Sequence, residues 1–204
     1  MGKKIESYFK YIYLIHIILA CNVFYVESPA MKVSSLIVVL LGCYILLNRF
    51  IHWKNYKGCL NFCLFILFIV SYLISSLFTF KYGYYNNTKI VMWMCFQIFI
   101  LYMFETGFDY DFDKKSLHVL LNILVILTTL MSLVGIIMLF CQYTGFKTLQ
   151  DGNSLLIGVA FWGRLYGVYT DANYGAVLCV CAVIAAVYLI IKNAGFIFKF
   201  LYIV

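Results

Sequence analysis

The chain has 204 residues, is 65% hydrophobic and only 11% charged, and carries a formal net charge of +7. Soluble domains carry about a quarter charged residues, so this composition excludes an ordinary soluble enzyme or binding module. The basic residues stand singly or in small groups beside apolar runs, with no arginine-rich arm and no zinc-finger spacing; that pattern excludes a nucleic-acid partner and fits membrane headgroups.

A helix needs ~20 apolar residues to cross a ~30 Å hydrocarbon core. Several runs here approach that length, and they are continuous rather than alternating, which argues against a transmembrane barrel. The expected fold class is all-α, a polytopic transmembrane helix bundle. The first run, Tyr11–Val26, follows Lys3, Lys4 and Lys10. It is long and lacks a small-residue cleavage site, so it reads as an uncleaved span and not as a signal peptide. Further spans are expected over Met31–Leu47, Leu60–Phe80, Ile90–Phe104, Leu117–Cys141 and Tyr174–Ile191. That makes six, and a truncated seventh apolar run opens at Gly195 and reaches Val204. With no linker, repeat or low-complexity segment, residues 1–204 read as a single membrane domain.

Lysine and arginine set orientation. Ten of them, from Lys3 through Arg49, Lys114 and Lys192 to Lys199, fall on one side of the expected spans, and five fall on the other. The N-terminus is therefore expected in the cytoplasm, and the loop 142–173 outside. A connection of that length is usually functional or disordered, and the composition of this one is not that of a disordered segment. Residues 155–162, Leu-Leu-Ile-Gly-Val-Ala-Phe-Trp, are too few to span and too apolar for a water-borne loop. They are expected to lie at the interface or to fold back onto the bundle.

The eight cysteines lie in or beside apolar runs without C-x-x-C spacing and read as small apolar residues, so neither a metal nor a cofactor is implied. Asp109, Asp111 and Asp113 open like a calcium loop, but Lys114 stands where glycine is needed and Leu120 where glutamate is needed. His16 falls inside the first expected span and reads as a neutral, hydrogen-bonded histidine of the bundle. Asn86-Asn87-Thr88 is a formal glycosylation sequon close to the membrane.

The segment from Gly163 to Gly175 concentrates the polar residues just ahead of the last long run. Arg164 can grip phosphate oxygens in a fork; taken alone it also fits an interfacial arginine snorkelling to headgroups. Asp171 and Asn173 fit helix caps, or the polar mouth of an anion site at a helix N-terminus. Gly163, Gly167 and Gly175 allow tight turns and close approach. Tyr166, Tyr169 and Trp162 fit an interfacial aromatic belt, or platforms for sugar rings.

Arg164, Gly167, Asp171 and Asn173 stand in the register R-x-x-G-x-x-x-D-x-N, with Ala172 between the last two and small residues following. This resembles the signature of the O-antigen polymerase/O-antigen ligase family of bacterial membrane proteins, in which proline occupies the position of Ala172. The resemblance covers about a dozen residues. It implies a glycosyl-transfer enzyme of the bacterial plasma membrane that takes a glycan from an undecaprenyl diphosphate carrier at the outer face. The partners implied are that lipid-linked glycan, membrane lipids and other polysaccharide-assembly membrane proteins. Arg164 and Asp171 are the implied catalytic residues, and Arg164, Tyr166, Gly167 and Asn173 the implied substrate contacts. The family pattern includes more spans and a large later outer loop with further arginine and histidine. On that basis the chain reads as the N-terminal portion of a longer protein or as an inactive remnant. A secondary transporter or permease, or an accessory membrane protein, is the alternative left open; against the former, no inverted repeat or mid-span polar break is visible.

Overall fold

A computed structural model of the chain describes residues 2–58, 62–79, 84–101, 103–105, 110–160 and 163–192. Among these residues six α-helices form: α1 (Gly2–Ala20), α2 (Pro29–Ile51), α3 (Phe62–Phe78), α4 (Tyr84–Phe96), α5 (Tyr110–Phe140) and α6 (Ala172–Ile191). Five short strands accompany them: β1 (Tyr56–Gly58), β2 (Met103–Glu105), β3 (Thr144–Thr148), β4 (Ser154–Val159) and β5 (Leu165–Gly167).

The expected all-α bundle of six spans and a truncated seventh is corrected on two counts. Among the described residues only three helical stretches are long and apolar enough to cross a membrane: Pro29–Ile51, Lys114–Phe140 and Ala172–Ile191. The helix that covers the first expected span begins among Lys3, Lys4, Glu6 and Lys10 and ends at Ala20, so its apolar portion is short. With 17 and 13 residues, α3 and α4 reach ~25 Å and ~20 Å at 1.5 Å per residue, less than the ~30 Å hydrocarbon thickness. The seventh run lies outside the described residues. The second correction is β-structure: 142–173 is no irregular loop but carries a three-stranded antiparallel sheet in the order β3-β4-β5.

The chain packs as two compact units, Met1–Glu6 with Val39–Tyr110, and Ser7–Val38 with Asp111–Val204. In the first, α3, α4 and a π-helical turn, Gln97–Leu101, pack together, and the end of α2 meets Phe96 and Phe99; Ile45, Phe96, Ile98 and Ile100 are buried there. Gly42 receives the Phe96 ring; a Cβ there would stand 2.8 Å from Cζ. Strands β1 and β2 pair antiparallel, Tyr56 opposite Glu105.

In the second unit, Ile18, Met131, Val168 and Tyr169 form one buried cluster, and Val125, Ala185, Ala186 and Leu189 another. On α6 the buried residues are small, Gly175, Ala182, Ala185 and Ala186, with Leu189. Its large apolar side chains, Val177, Val180, Val183, Ile184 and Val187, are exposed. Small residues inward and large ones outward is the packing of helices whose surrounding solvent is lipid.

The sheet explains the apolar run at 155–159. Ile157, Gly158 and Val159 are buried. The run therefore folds back onto its unit, one of the two dispositions its composition allows. The turn between β3 and β4 is set by Asp151-Gly152: Gly152 sits at φ +84°, and the Asp151 carboxylate accepts from the Asn153 backbone at 2.9 Å. Those Asn153 hydrogen bonds, backbone first and then side chain, hold Asp151 below the usual carboxylate range.

Candidate functional site

The segment from β5 to the first turn of α6 brings Arg164, Asp171 and Asn173 together. Asp171 is the N-cap of α6, with extended backbone (φ −145°, ψ 137°), and its Oδ1 accepts from the Asn173 backbone N–H at 2.6 Å. This is the capping role expected of an aspartate ahead of an apolar helix. Ala172 is thereby the first helical residue. Proline is favoured at that position because the missing N–H is unpaired there in any case, so alanine fills the position without loss of a contact.

Asn173 turns its side chain the other way. Its Oδ1 accepts from Arg164 Nη2 at 2.6 Å, across nine residues of sequence. The Arg164 guanidinium also lies over the Tyr166 ring, 5.6 Å from its centroid, within cation–π range. Among the described residues no carboxylate forms an ion pair with Arg164, and both it and Asn173 are exposed. A guanidinium has five N–H donors, so one neutral acceptor and one ring fix its direction while most of its donor capacity faces outward.

Glycines make the approach possible. Gly167 lies at φ +58°, and a Cβ there would stand 3.0 Å from the Gly135 Cα of α5. Gly163 lies at φ +78°. Gly175 accommodates the Tyr169 ring, with 2.7 Å between its would-be Cβ and Cδ2. The Tyr169 hydroxyl lies 3.2 Å from Ser132 Oγ, which in turn lies 3.3 Å from Cys179 Sγ. Burial lifts the Tyr169 phenol to about 12, and the Ser132 hydrogen bond offsets this only in part. It is a neutral packing residue beneath the site rather than a sugar platform. Trp162 lies outside the described residues.

The turn between α1 and α2 braces this segment. Val23 N–H donates to the Val168 carbonyl and Thr170 N–H to the Cys21 carbonyl, both at 2.8 Å. Lys147 on β3 donates to the carbonyls of Val23 (2.8 Å) and Val26 (2.6 Å), and the Glu27 carboxylate accepts from the Gln150 N–H at 3.0 Å. Lys147 thereby clasps β3 to the α1–α2 turn.

His16 is buried, as a histidine of the interior, in a hydroxyl network. Ser34 Oγ donates to the Met31 carbonyl at 3.0 Å and so accepts from both the Tyr25 hydroxyl and His16 Nδ1, the latter at 2.9 Å. That arrangement makes Nδ1 a donor, with Nε2 facing Ser35 Oγ at 3.5 Å. Among the described residues no three His, Cys, Asp or Glu side chains converge on a possible metal.

One charged constellation was not visible in the sequence. Arg49, at the end of α2, forms a fork with Glu6 of α1: Nη2 to Oε2 at 2.7 Å and Nε to Oε1 at 3.2 Å. Its Nη1 donates to the Phe99 carbonyl in the π-helical turn, and its guanidinium lies 4.9 Å from the Tyr56 ring centroid. Arg49 is only 3% exposed. Four segments of the first unit meet on it. The two partners are 43 residues apart, and no local pattern announces such a pair.

Comparison of the chain with protein families, with curated proteins and with solved structures finds no match in any of the three. Three apolar helices of spanning length associate the chain with membranes.

Proposed function

We propose that the chain acts in cell-envelope polysaccharide assembly, as a polymerase or ligase that transfers a glycan from an undecaprenyl diphosphate carrier. The observation that carries this reading is the presentation of Arg164: exposed, without a carboxylate partner among the described residues, and aimed by Asn173 beside the N-terminus of α6. A helix N-terminus favours anions, and an outward guanidinium adds a forked donor. The spacing of the R-x-x-G-x-x-x-D-x-N register acquires a physical meaning on this reading. Gly167 permits the close packing on Gly135, Asp171 starts the helix, and Asn173 holds the arginine.

In the transfer, negative charge grows on the leaving diphosphate as the glycosidic bond breaks. Arg164 stabilises that charge, and the effect is largest where bulk water is excluded. An acceptor hydroxyl must lose its proton to a base. Asp171 carries a carboxylate suited to that role, but its Oδ1 is engaged by the α6 backbone, so its first task is to set the helix start. Tyr166 and Asn173 line the position a donor would occupy.

The corresponding location is the bacterial plasma membrane, crossed more than once; the lysine and arginine count behind a cytoplasmic N-terminus and an outer 142–173 segment rests on six spans and does not carry over to three. Glycan chain length on a gel is the discriminating readout. Deletion of a polymerase changes the ladder; deletion of a transporter changes uptake or export of a solute and leaves chain length alone. If Arg164→Ala leaves the ladder unchanged while the protein accumulates normally, Arg164 has no role in transfer.

A further inference from the structure

The second unit gathers exposed aromatic side chains at its sheet-bearing end. Phe24 lies in the α1–α2 turn, Phe140 ends α5, Tyr143 and Phe146 follow into β3, and Tyr174 lies in the first turn of α6; each is between 49% and 84% exposed. The segments that carry them are joined by the Val23–Val168 and Thr170–Cys21 hydrogen bonds and by Lys147 on the Val23 and Val26 carbonyls. The α1–α2 turn, β3 and the segment before α6 are therefore held together in this unit.

We infer that this end of the unit is seated in the boundary between headgroups and acyl chains of a lipid bilayer, with Phe146 and its aromatic neighbours as anchors. Strand β3 alternates strictly: Thr144, Phe146 and Thr148 face outward, and Gly145 and Lys147 inward. Phe146 pairs with Leu156, and Thr148 with Ser154, across the β3–β4 ladder. The outward face is thus an apolar wedge rimmed by hydroxyl groups. Two of the three outward positions on β3 carry hydroxyl groups and the middle one is aromatic, a mixture that suits the place where bilayer meets water, where aromatic side chains concentrate. The one cation on β3 does not oppose insertion, because the Lys147 ammonium is turned onto two backbone carbonyls.

Lipid, and not a second protein surface, is the occupant that fits. The stretch Lys114–Phe140 is 27 residues, or ~40 Å at 1.5 Å per residue, against a ~30 Å hydrocarbon core. Its exposed apolar side chains, including Leu133, Ile136 and Ile137, run directly into Phe140, and Tyr143 follows three residues later. The aromatic set therefore continues the surface of a spanning helix and draws on three segments, as a boundary that surrounds the protein requires. This inference is independent of the glycan reading. It puts Arg164 and Asn173, beside Tyr174, at the depth of lipid phosphates.

The test uses the full chain in phosphatidylcholine vesicles, with Trp53, Trp93 and Trp162 replaced by Phe and a single indole introduced by Phe146→Trp. Gln150→Trp, in the β3–β4 turn, is the comparison, and Tyr143→Trp is the second variant should Phe146→Trp fail to fold. The indole at 146 is expected to emit at shorter wavelength than that at 150. It is expected to lose about half its intensity or more when the acyl chains are brominated near the headgroup, and less with bromine near the chain ends, the depth order of an interfacial aromatic. Water-like emission without quenching at both 146 and 143 would overturn the inference. So would shifted emission that lipid bromine leaves untouched but that changes with protein concentration, the signature of a second copy on this face.

Discussion

Two arginines show how differently one side chain is used in the two units. Arg49 is buried, forked onto Glu6, bonded to the Phe99 carbonyl and covered by Tyr56. Arg164 is exposed, held by one neutral amide and one ring. A buried guanidinium must have its charge and donors matched, because an unmatched charge in a low-dielectric interior is costly. An arginine left unmatched at an exposed helix start has its charge available to something else. The first arginine is therefore read as part of the fold, the second as a site.

That contrast breaks most readily at Arg49. Arg49→Ala removes a buried guanidinium, leaves the partly buried Glu6 without its cation and is expected to cost about 3 kcal/mol of stability, read by thermal or denaturant unfolding in detergent. A paired replacement, Arg49→Met with Glu6→Leu, should recover much of the loss, since both charges are then gone. A loss under about 1 kcal/mol for Arg49→Ala would remove the distinction between the two arginines.

The next effect in size concerns the glycine that lets the site segment approach α5. Gly167→Val must adopt a left-handed backbone and push against the Gly135 Cα at 3.0 Å. A loss of about 2 kcal/mol or more is expected from backbone strain and overpacking together. Asp171→Ala removes the α6 cap and should cost about 1 kcal/mol, with Asp171→Asn retaining most of it. If Asp171→Asn abolished glycan transfer at undiminished stability, Asp171 would instead be the base.

Tyr169 sharpens the comparison from beneath the site. Its phenol rises from 10 to about 12 on folding, chiefly by burial. A raised folded value means that the neutral form is favoured in the fold. The contribution is full below pH 10 and is lost as pH climbs from about 10 to about 12. Tyr169→Phe should flatten that decline in a pH series of unfolding midpoints. The smallest expected stability effect is that of Arg164→Ala, within about 0.5 kcal/mol of the parent, paired with the largest expected effect on transfer.

Much of the helical framework is legible in the sequence. The expected runs Met31–Leu47, Leu117–Cys141 and Tyr174–Ile191 lie within four residues of the spanning stretches Pro29–Ile51, Lys114–Phe140 and Ala172–Ile191, because long continuous apolarity has one simple outcome. The first run was placed too late: α1 starts among lysines at Gly2 and ends before Asn22, whose Oδ1 accepts from the Phe24 N–H to begin the turn. Length alone misassigned α3 and α4 as spans. The sheet had a signal that was passed over: Asp151-Gly152 is a strong hairpin turn, flanked by the alternating Thr144–Thr148. The candidate site was legible as a set of residues but not as a mechanism, because only the fold shows Asp171 bound to the backbone and Asn173 bound to Arg164. Neither the Arg49–Glu6 fork nor the Lys147 clasp was legible, since both join residues far apart in sequence with no repeating pattern.

The central claim is that Arg164 is kept unmatched for use and not for stability. If the proposed function holds, it is tested most directly by the glycan ladder of cells carrying this chain, comparing Arg164→Ala with the parent at equal amounts of folded membrane protein. The account predicts that long polymer disappears while the unfolding midpoint stays where it was. An unchanged ladder would contradict the claim, as would a ladder lost only in proportion to lost protein.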